Sequence, residues 1–323
     1  AICYRVLFFF AIAALAVTAN AQFENWPTKP IRLIVTFPPG GSSDSAARIV
    51  APRLSERLGQ PVVVDNRPGA GGGVGLELTA KAPGDGYTVV LASAGGLTAN
   101  PSLYNRLGYD PSRDFAPITL FGTSPFVLVA NPSLAASSVA DVIKLARAQP
   151  GHLSYASGGN GTAMHLSGEL LKSMTQTRIV HIPYRGSAPA LMAVMTGETQ
   201  LAIVDITTLG SQAKLGRVKV LGILGKNRSP MSPDIQTLNE SGVPGYDASG
   251  WFGILAPAAT PPAVIQRLNT EITAVLRSVD IREKFATAGL DPLPSTQEDM
   301  LNLMKAESAK WAKVIRESGA SVD

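Results

Sequence analysis

The chain has 323 residues, which at roughly 150 residues per domain suggests two domains, each able to bury a core. It is 45% hydrophobic and only 16% charged, which excludes a disordered binder, and its single cysteine excludes an internal disulfide framework. The formal charge of +4 is not gathered into any basic run, so nucleic acid is not expected as a partner.

The N-terminus, AICYRVLFFFAIAALAVTANA, carries Arg5 as its one charge, followed by 12 apolar residues from Val6 to Val17. That run is shorter than the roughly 18 to 20 residues a bilayer-spanning helix needs. It ends in Ala19-Asn20-Ala21, a small-x-small signature, so residues 1–21 are expected to be a signal peptide cut after Ala21. Cys3 and Arg5 would leave with it, giving a cysteine-free exported protein of net charge +3.

From Pro30 onward short β-branched runs alternate with helical patterns, the signature of an α/β fold with parallel sheets. The first strand is predicted over 31–37, a near-continuous apolar run suited to burial on both faces. A helix follows from Asp44 to Leu58, with Ile49, Val50, Leu54 and Leu58 on one stripe and Gly59 as its stop. Further strands are predicted at 61–66, 86–93, 153–157, 178–183, 200–205 and 218–224, with two extended runs within 117–132 and another at 251–257. Helices are expected at 74–81, 139–149 (capped by Ser138), 162–174, 188–196, 261–278, 280–288 and 296–318. The closing helices have no sheet of their own. The economical topology packs them on the first unit, giving domain 1 at 22–128 plus 254–323 around an inserted domain 2 at 129–253. Two crossing segments would then form a hinge beside a ligand cleft.

Common catalytic and nucleotide-binding signatures (GxxxxGK[ST], GxSxG, HExxH, CxxC) are missing, the three histidines are scattered, and neither a metal nor a cofactor is expected. The Gly-rich GAGGGVG at 69–75 reads best as a tight turn opening a short helix. What recurs is a strand ending in a small or polar loop that opens a helix: 37–44, 92–102, 156–165 and 183–190, with Asp205 ending a further strand. Ligands of open α/β sheets bind outside the carboxyl ends of the strands, where helix N-termini offer unpaired N–H groups and about half a positive charge. Two lobes presenting such loops can hold a carboxylate without a salt bridge.

The candidate contacts are Pro39, Gly40, Gly41, Ser42, Ser93, Ala94, Gly95, Asn160, Gly161, Thr162, His165, Tyr184 and Asp205. One of Ser42, Ser43 and Asp44 is expected to cap the first helix, with Asp44 mainly structural. His165 fits a loop-bracing role as well as a ligand contact, and Arg185 is equally a solvated surface group or a carboxylate partner.

At these residues the chain resembles the Bug or TctC family of periplasmic solute-binding proteins, linked to tripartite tricarboxylate transporters. The matching segments include WPTKPIRLIVTFPPGGSSD, LGQPVVVDNRPGAGGGVG, YASGGNGTAMHLSGELLKSM, HIPYRGSAPALMAVMTGE and GVPGYDASGWFGILAPAATP, running in register from about Trp26 to the end. The resemblance implies a type II periplasmic-binding fold, two lobes each with a central sheet flanked by helices, closing on a small organic acid. It also implies contacts through loop amides, hydroxyls and water at PPGG, the Ser93 loop, NGT and Asp205. The implied ligand is a di- or tricarboxylate, an aromatic acid or an acidic amino acid. The implied partners are permease subunits of the membrane transporter or a sensor kinase, with a monomeric receptor and no catalysis. A secreted hydrolase or lyase using the same cleft is the rival reading. Local departures from the family pattern, such as Thr36-Phe37 before PPGG and Ile203-Val204 before Asp205, fall where ligand identity would be set.

Overall fold

The computed structural model describes residues 25–229, 232–320 and 322. The expected cleavage site after Ala21 lies outside the described residues. The first unit runs β1 (Ile31–Val35), α1 (Ser42–Leu58), β2 (Val62–Asn66), α2 (Gly73–Ala80) and β3 (Thr88–Ser93). It continues through a π-helical turn (Gly95–Ala99), α3 (Asn100–Leu103) and β4 (Phe115–Thr123). The second unit holds β5 (Phe126–Ala130), α4 (Val139–Ala148), β6 (Ser154–Ser157), α5 (Ala163–Thr175), β7 (Val180–Pro183) and α6 (Ser187–Thr196). It closes with β8 (Leu201–Asp205), α7 (Ile206–Leu209) and β9 (Lys219–Ile223). The chain ends in β10 (Trp251–Pro257), α8 (Pro262–Arg277), α9 (Val279–Thr287), β11 (Asp291–Pro292) and α10 (Gln297–Ser318).

Two sheets result, ordered β11-β4-β10-β3-β1-β2 and β7-β6-β8-β5-β9. Their inner strands are buried on both faces, which is why they read as continuous apolar runs, while the edge strands β2 and β7 are partly exposed. Along β1, Ile31, Leu33 and Val35 face one core while Ile34 faces another. In β8, Leu201 and Ile203 alternate with Ala202 and Val204 in the same way.

The sheets are not wholly parallel. The pairs β1–β2, β1–β3, β6–β7 and β6–β8 are parallel, whereas β10 runs antiparallel between β3 and β4. In the second sheet β5 runs antiparallel between β8 and β9. The chain leaves the first sheet at β4, enters the second as β5, and returns as β10. The two crossings touch: the Ser124 N–H donates to Gly250 O at 3.2 Å.

Local expectations hold in part. Ser138 caps α4 by accepting from the Asp141 N–H, and Gly59 ends α1 in the left-handed region. No side chain caps α1, contrary to expectation. Its N-cap is Gly41, and Asp44 instead reaches back to accept from the Gly40 N–H at 2.9 Å. The small, polar loop expected at 92–102 is instead helical from Ala94 onward, since Leu97 and Ala99 are buried and need regular backbone pairing. The glycine-rich stretch forms a short 3₁₀ turn opening α2, as its tight-turn reading requires. The last helix divides its contacts: Met300 and Met304 enter a core of the first sheet, while Trp311, Val314 and Ile315 enter a core of the second.

Candidate ligand-binding cleft

β1 lies inside its sheet, between β2 and β3, so its carboxyl end opens into the cleft rather than at an edge. The chain leaves it through Phe37-Pro38-Pro39-Gly40-Gly41, whose two prolines bar continued pairing, and then starts α1. Asp44 fixes this loop from below by accepting from Gly40 N, Arg48 Nε and Asn66 Nδ2. Burial alone would raise the Asp44 carboxyl; these donors outweigh it and hold it below the ordinary value. The hydroxyls of Ser42 and Ser43 are thereby left for the cleft.

A cavity of about 350 Å³ lies there, between the sheets. The first lobe lines it with Phe37, Pro39, Gly40, Gly41, Ser42, Ser43 and Ser93. The second lobe adds Phe126, Thr162, Met164, Arg185, Ser187, Asp205 and Thr208, and the crossing adds Gly250, Trp251 and Phe252. A neighbouring cavity of about 470 Å³ is lined by residues 69–72, Tyr104, Asn160 and Tyr184, and shares Phe37, Pro38, Thr162, Arg185 and Gly186 with the first.

Two helices begin at the first cavity without a side-chain cap: α1 after Gly41 in the first lobe and α6 after Gly186 in the second. Gly186 has φ of 111°, a conformation that a side chain at that position would resist. The first N–H groups of such helices have no intrahelical partner and carry partial positive charge. Arg185 is exposed at the rim of both cavities and makes no ion pair among the described residues.

Asp205, the end of β8, lies across the sheet from Phe126, the first residue after the crossing, and is 5% exposed. Its Oδ1 accepts from Ser42 Oγ at 2.9 Å, a bond between the lobes. Its N–H donates to Ser187 Oγ at 2.9 Å. Burial pushes its carboxyl above the ordinary value, against the pull of the Ser42, Ser187 and Ser124 hydroxyls. Ser93 Oγ and Trp251 Nε1 are buried and have no hydrogen-bond partner among the described residues.

Of the residues singled out in the sequence, Pro39, Gly40, Gly41, Ser42, Ser93, Thr162 and Asp205 meet at the first cavity, and Asn160 and Tyr184 line the second. Ala94, Gly95, Gly161 and His165 line neither. Ala94 is buried in the first lobe's core. Gly95 packs against the Gly161–Ala163 backbone: a Cβ there would lie 2.8 Å from Gly161 O. His165 sits behind the loop, where its Nδ1 accepts from the Gly161 N–H at 3.3 Å and its ring stacks on His181 at 4.1 Å. It braces the loop, while Thr162 caps α5 by accepting from the His165 N–H. The aromatic wall of Phe126, Trp251 and Phe252 escaped sequence reasoning, because in a strand an apolar residue lining a cleft looks like one in a core.

A serine–histidine pair exists, with Ser157 Oγ 2.6 Å from His181 Nε2, but Ser157 is fully buried and neither residue lines either of these two cavities. Among the described residues no group of three His, Cys, Asp or Glu is placed to hold a metal ion, and no helix is long and apolar enough to cross a membrane.

The chain is similar to known proteins over nearly all its length. It is 38% identical over 315 residues to the "UPF0065 protein in tcbD-tcbE intergenic region" of Pseudomonas sp. (strain P51), covering 97% of this chain and 94% of that one. It is also 38% identical to Protein BugT of Bordetella pertussis, with 96% of each chain covered. Among solved structures, R. palustris Rpa4515 with adipate superposes with a TM-score of 0.86 at 37% identity, covering 91% of this chain and 98% of that one. MatC from Rhodopseudomonas palustris with bound malate gives 0.82 at 27% identity, covering 90% of this chain and all of that one. The family model described as tripartite tricarboxylate transporter family receptor matches residues 46–320. The chain therefore belongs to that family, and is a substrate-binding receptor with the two-lobed fold of periplasmic binding proteins.

Proposed function

We propose that this receptor captures a small organic carboxylate in the cleft between its lobes. The observation that carries the reading is the meeting of two uncapped helix N-termini, one from each lobe, on a single cavity with Arg185 at its rim. Each supplies N–H donors and positive potential toward the cavity. The adipate and malate held by the two Rhodopseudomonas palustris proteins support an acid as ligand.

Contacts to both lobes exist only in the closed form, so ligand binding favours closure by its differential affinity for that form. The contact residues are assigned to Gly40, Gly41, Ser42, Ser93, Thr162 and Asp205, and the lobe boundaries expected at 128/129 and 253/254 move to the crossings at Ser124 and Gly250, because Phe126 already pairs in the second sheet and Trp251 already pairs in the first. Residues 1–21 act as a cleaved signal, and the mature protein works outside the cytoplasm as a monomer without catalytic activity. It delivers its acid to the membrane subunits of a tripartite transporter, or to a sensor kinase.

The test is a thermal-shift panel of di- and tricarboxylates, aromatic acids and amino acids on the purified protein. A true ligand at a hundred times its Kd stabilises by about 2.7 kcal/mol, a rise in Tm of about 5 °C or more. If no acid in the panel moves the Tm, the carboxylate reading is wrong.

A further inference from the structure

Asp205 is an unusual group to find in an anion receptor. It is 5% exposed, lines the cavity, and no cation among the described residues acts on its carboxyl, which is surrounded by serine hydroxyls. Of its acceptor positions, the Ser42 hydroxyl fills one at 2.9 Å. A second carboxylate brought against it would meet a like charge in a dry site. A hydroxyl, an ammonium or a protonated carboxyl would instead meet a ready acceptor.

The remaining surface is apolar. Phe37, Phe126, Met164, Trp251 and Phe252 line the same cavity, with Trp251, Phe252, Phe126 and Met164 each no more than 7% exposed. Such rings gain little from a short, fully hydrated diacid, but they match a flat or extended apolar body. Arg185 and the Gly40–Gly41 turn supply the anion-binding groups, and Asp205, bonded to Ser42 one residue beyond that turn, stands beside them as the acceptor for a donor on the ligand.

We infer that Asp205 determines specificity by requiring a hydrogen-bond donor on the ligand, and that the substrate class is an acid with an apolar, aromatic-sized body bearing a hydroxyl or ammonium group. The inference rests on the carboxylate-receptor reading above and narrows it. It concerns the donor rather than its source, so hydroxy acids and amino acids are separate arms of the test.

Titration calorimetry on the wild-type protein compares phenylpropanoate, its meta- and para-hydroxy derivatives, phenylalanine and adipate, each in two buffers of different ionisation enthalpy. At least one donor-bearing aromatic acid is expected to bind about tenfold more tightly than phenylpropanoate, the effect of one hydrogen bond to a charged acceptor. Adipate is expected to bind more weakly, or only with uptake of one proton. In Asp205→Asn, whose amide both donates and accepts, the preference for a donor should shrink to about twofold while adipate gains.

Adipate bound more tightly than every aromatic acid without proton uptake overturns the inference and leaves the receptor reading standing. So does binding confined to other acids of the thermal-shift panel. Silence across both experiments removes the receptor reading as well. The wild-type ranking decides the matter even if Asp205→Asn does not fold.

Discussion

Two stretches of the lobe interface differ in what they leave unfinished. Around the cavity, and among the described residues, Ser93 Oγ and Trp251 Nε1 lack partners, α1 and α6 begin uncapped, and Arg185 has no counter-ion. Along the seam formed by residues 71, 95 and 160–163 the backbones of the lobes are in contact. A Cβ at Gly71 would lie 3.1 Å from Asn160 O, and one at Gly95 would lie 2.9 Å from Ala163 N. Behind the seam, His165 Nδ1 takes the Gly161 N–H, and Tyr109 OH donates to Gly96 O at 2.6 Å. Asn100 Oδ1 is its one buried orphan among these groups. Spare bonding capacity marks where a ligand adds something, and close backbone contact marks where the lobes meet each other.

Acid should break the seam before it reaches the cavity. Burial pushes His165 down to about 4, partly offset by Glu169, and pushes His181 down to about 3, helped by its neighbour His165. Between pH 6.5 and about 4 the unfolded chain binds more protons at these sites than the native protein. Stability therefore falls as pH drops through that window, by on the order of 3 kcal/mol for His165 alone. The Asp44 carboxyl, held low, loses its stabilisation only as pH falls below the ordinary carboxylate range. Asp205, held high, acts in the opposite sense, its penalty shrinking as pH falls. Urea unfolding at a series of pH values should show the loss, and a flat profile from pH 7 to pH 4.5 would contradict it.

A smaller effect is expected from crowding the seam. Gly95→Ala places a methyl against the Gly161 carbonyl, which is backbone and cannot swing away. Overpacking of this kind costs about 1–3 kcal/mol, and here the cost falls on the closed form, so affinity should drop about tenfold to a hundredfold. Calorimetry gives the affinity, and small-angle scattering with saturating acid should show a wider molecule than wild type. Unchanged affinity would mean that the seam is not a closing surface.

Much of this arrangement is legible in the sequence, for physical reasons. Strands covered on both faces must be apolar throughout, so β1, β3 and β8 declare themselves, and loops at their carboxyl ends are where ligands of such sheets bind. Ser42 and Asp205 were therefore placed in the cleft from sequence alone. Which way a loop faces is another matter: Gly95, Gly161 and His165 lie in the expected loops but serve the seam, because spacing along a chain does not say which side meets the other lobe. The antiparallel insertion of β5 and β10 is equally hidden, since strand direction leaves no periodic trace. Nor does the helical pattern of 297–318 reveal that Met300 and Trp311 enter different cores.

The gentlest probe of the comparison is Ser42→Ala. Its hydroxyl donates to Asp205 across the cleft, so this bond contributes only while the lobes are closed. Removing it withdraws one donor from a buried carboxyl, at about 1–2 kcal/mol, and lowers the population of the binding-competent form. Affinity for any acid should then fall about tenfold. Ser187→Ala makes the contrast, because the Ser187 hydroxyl accepts from the Asp205 N–H within one lobe and is present whether the cleft is open or shut. That variant should lower the unfolding free energy more than it changes the rate of ligand release, whereas Ser42→Ala should do the reverse. Stopped-flow release rates beside urea melts separate the two. Equal effects of both serines on both readouts would show that the Ser42–Asp205 bond does not report on closure, and that Asp205 is held by one lobe alone.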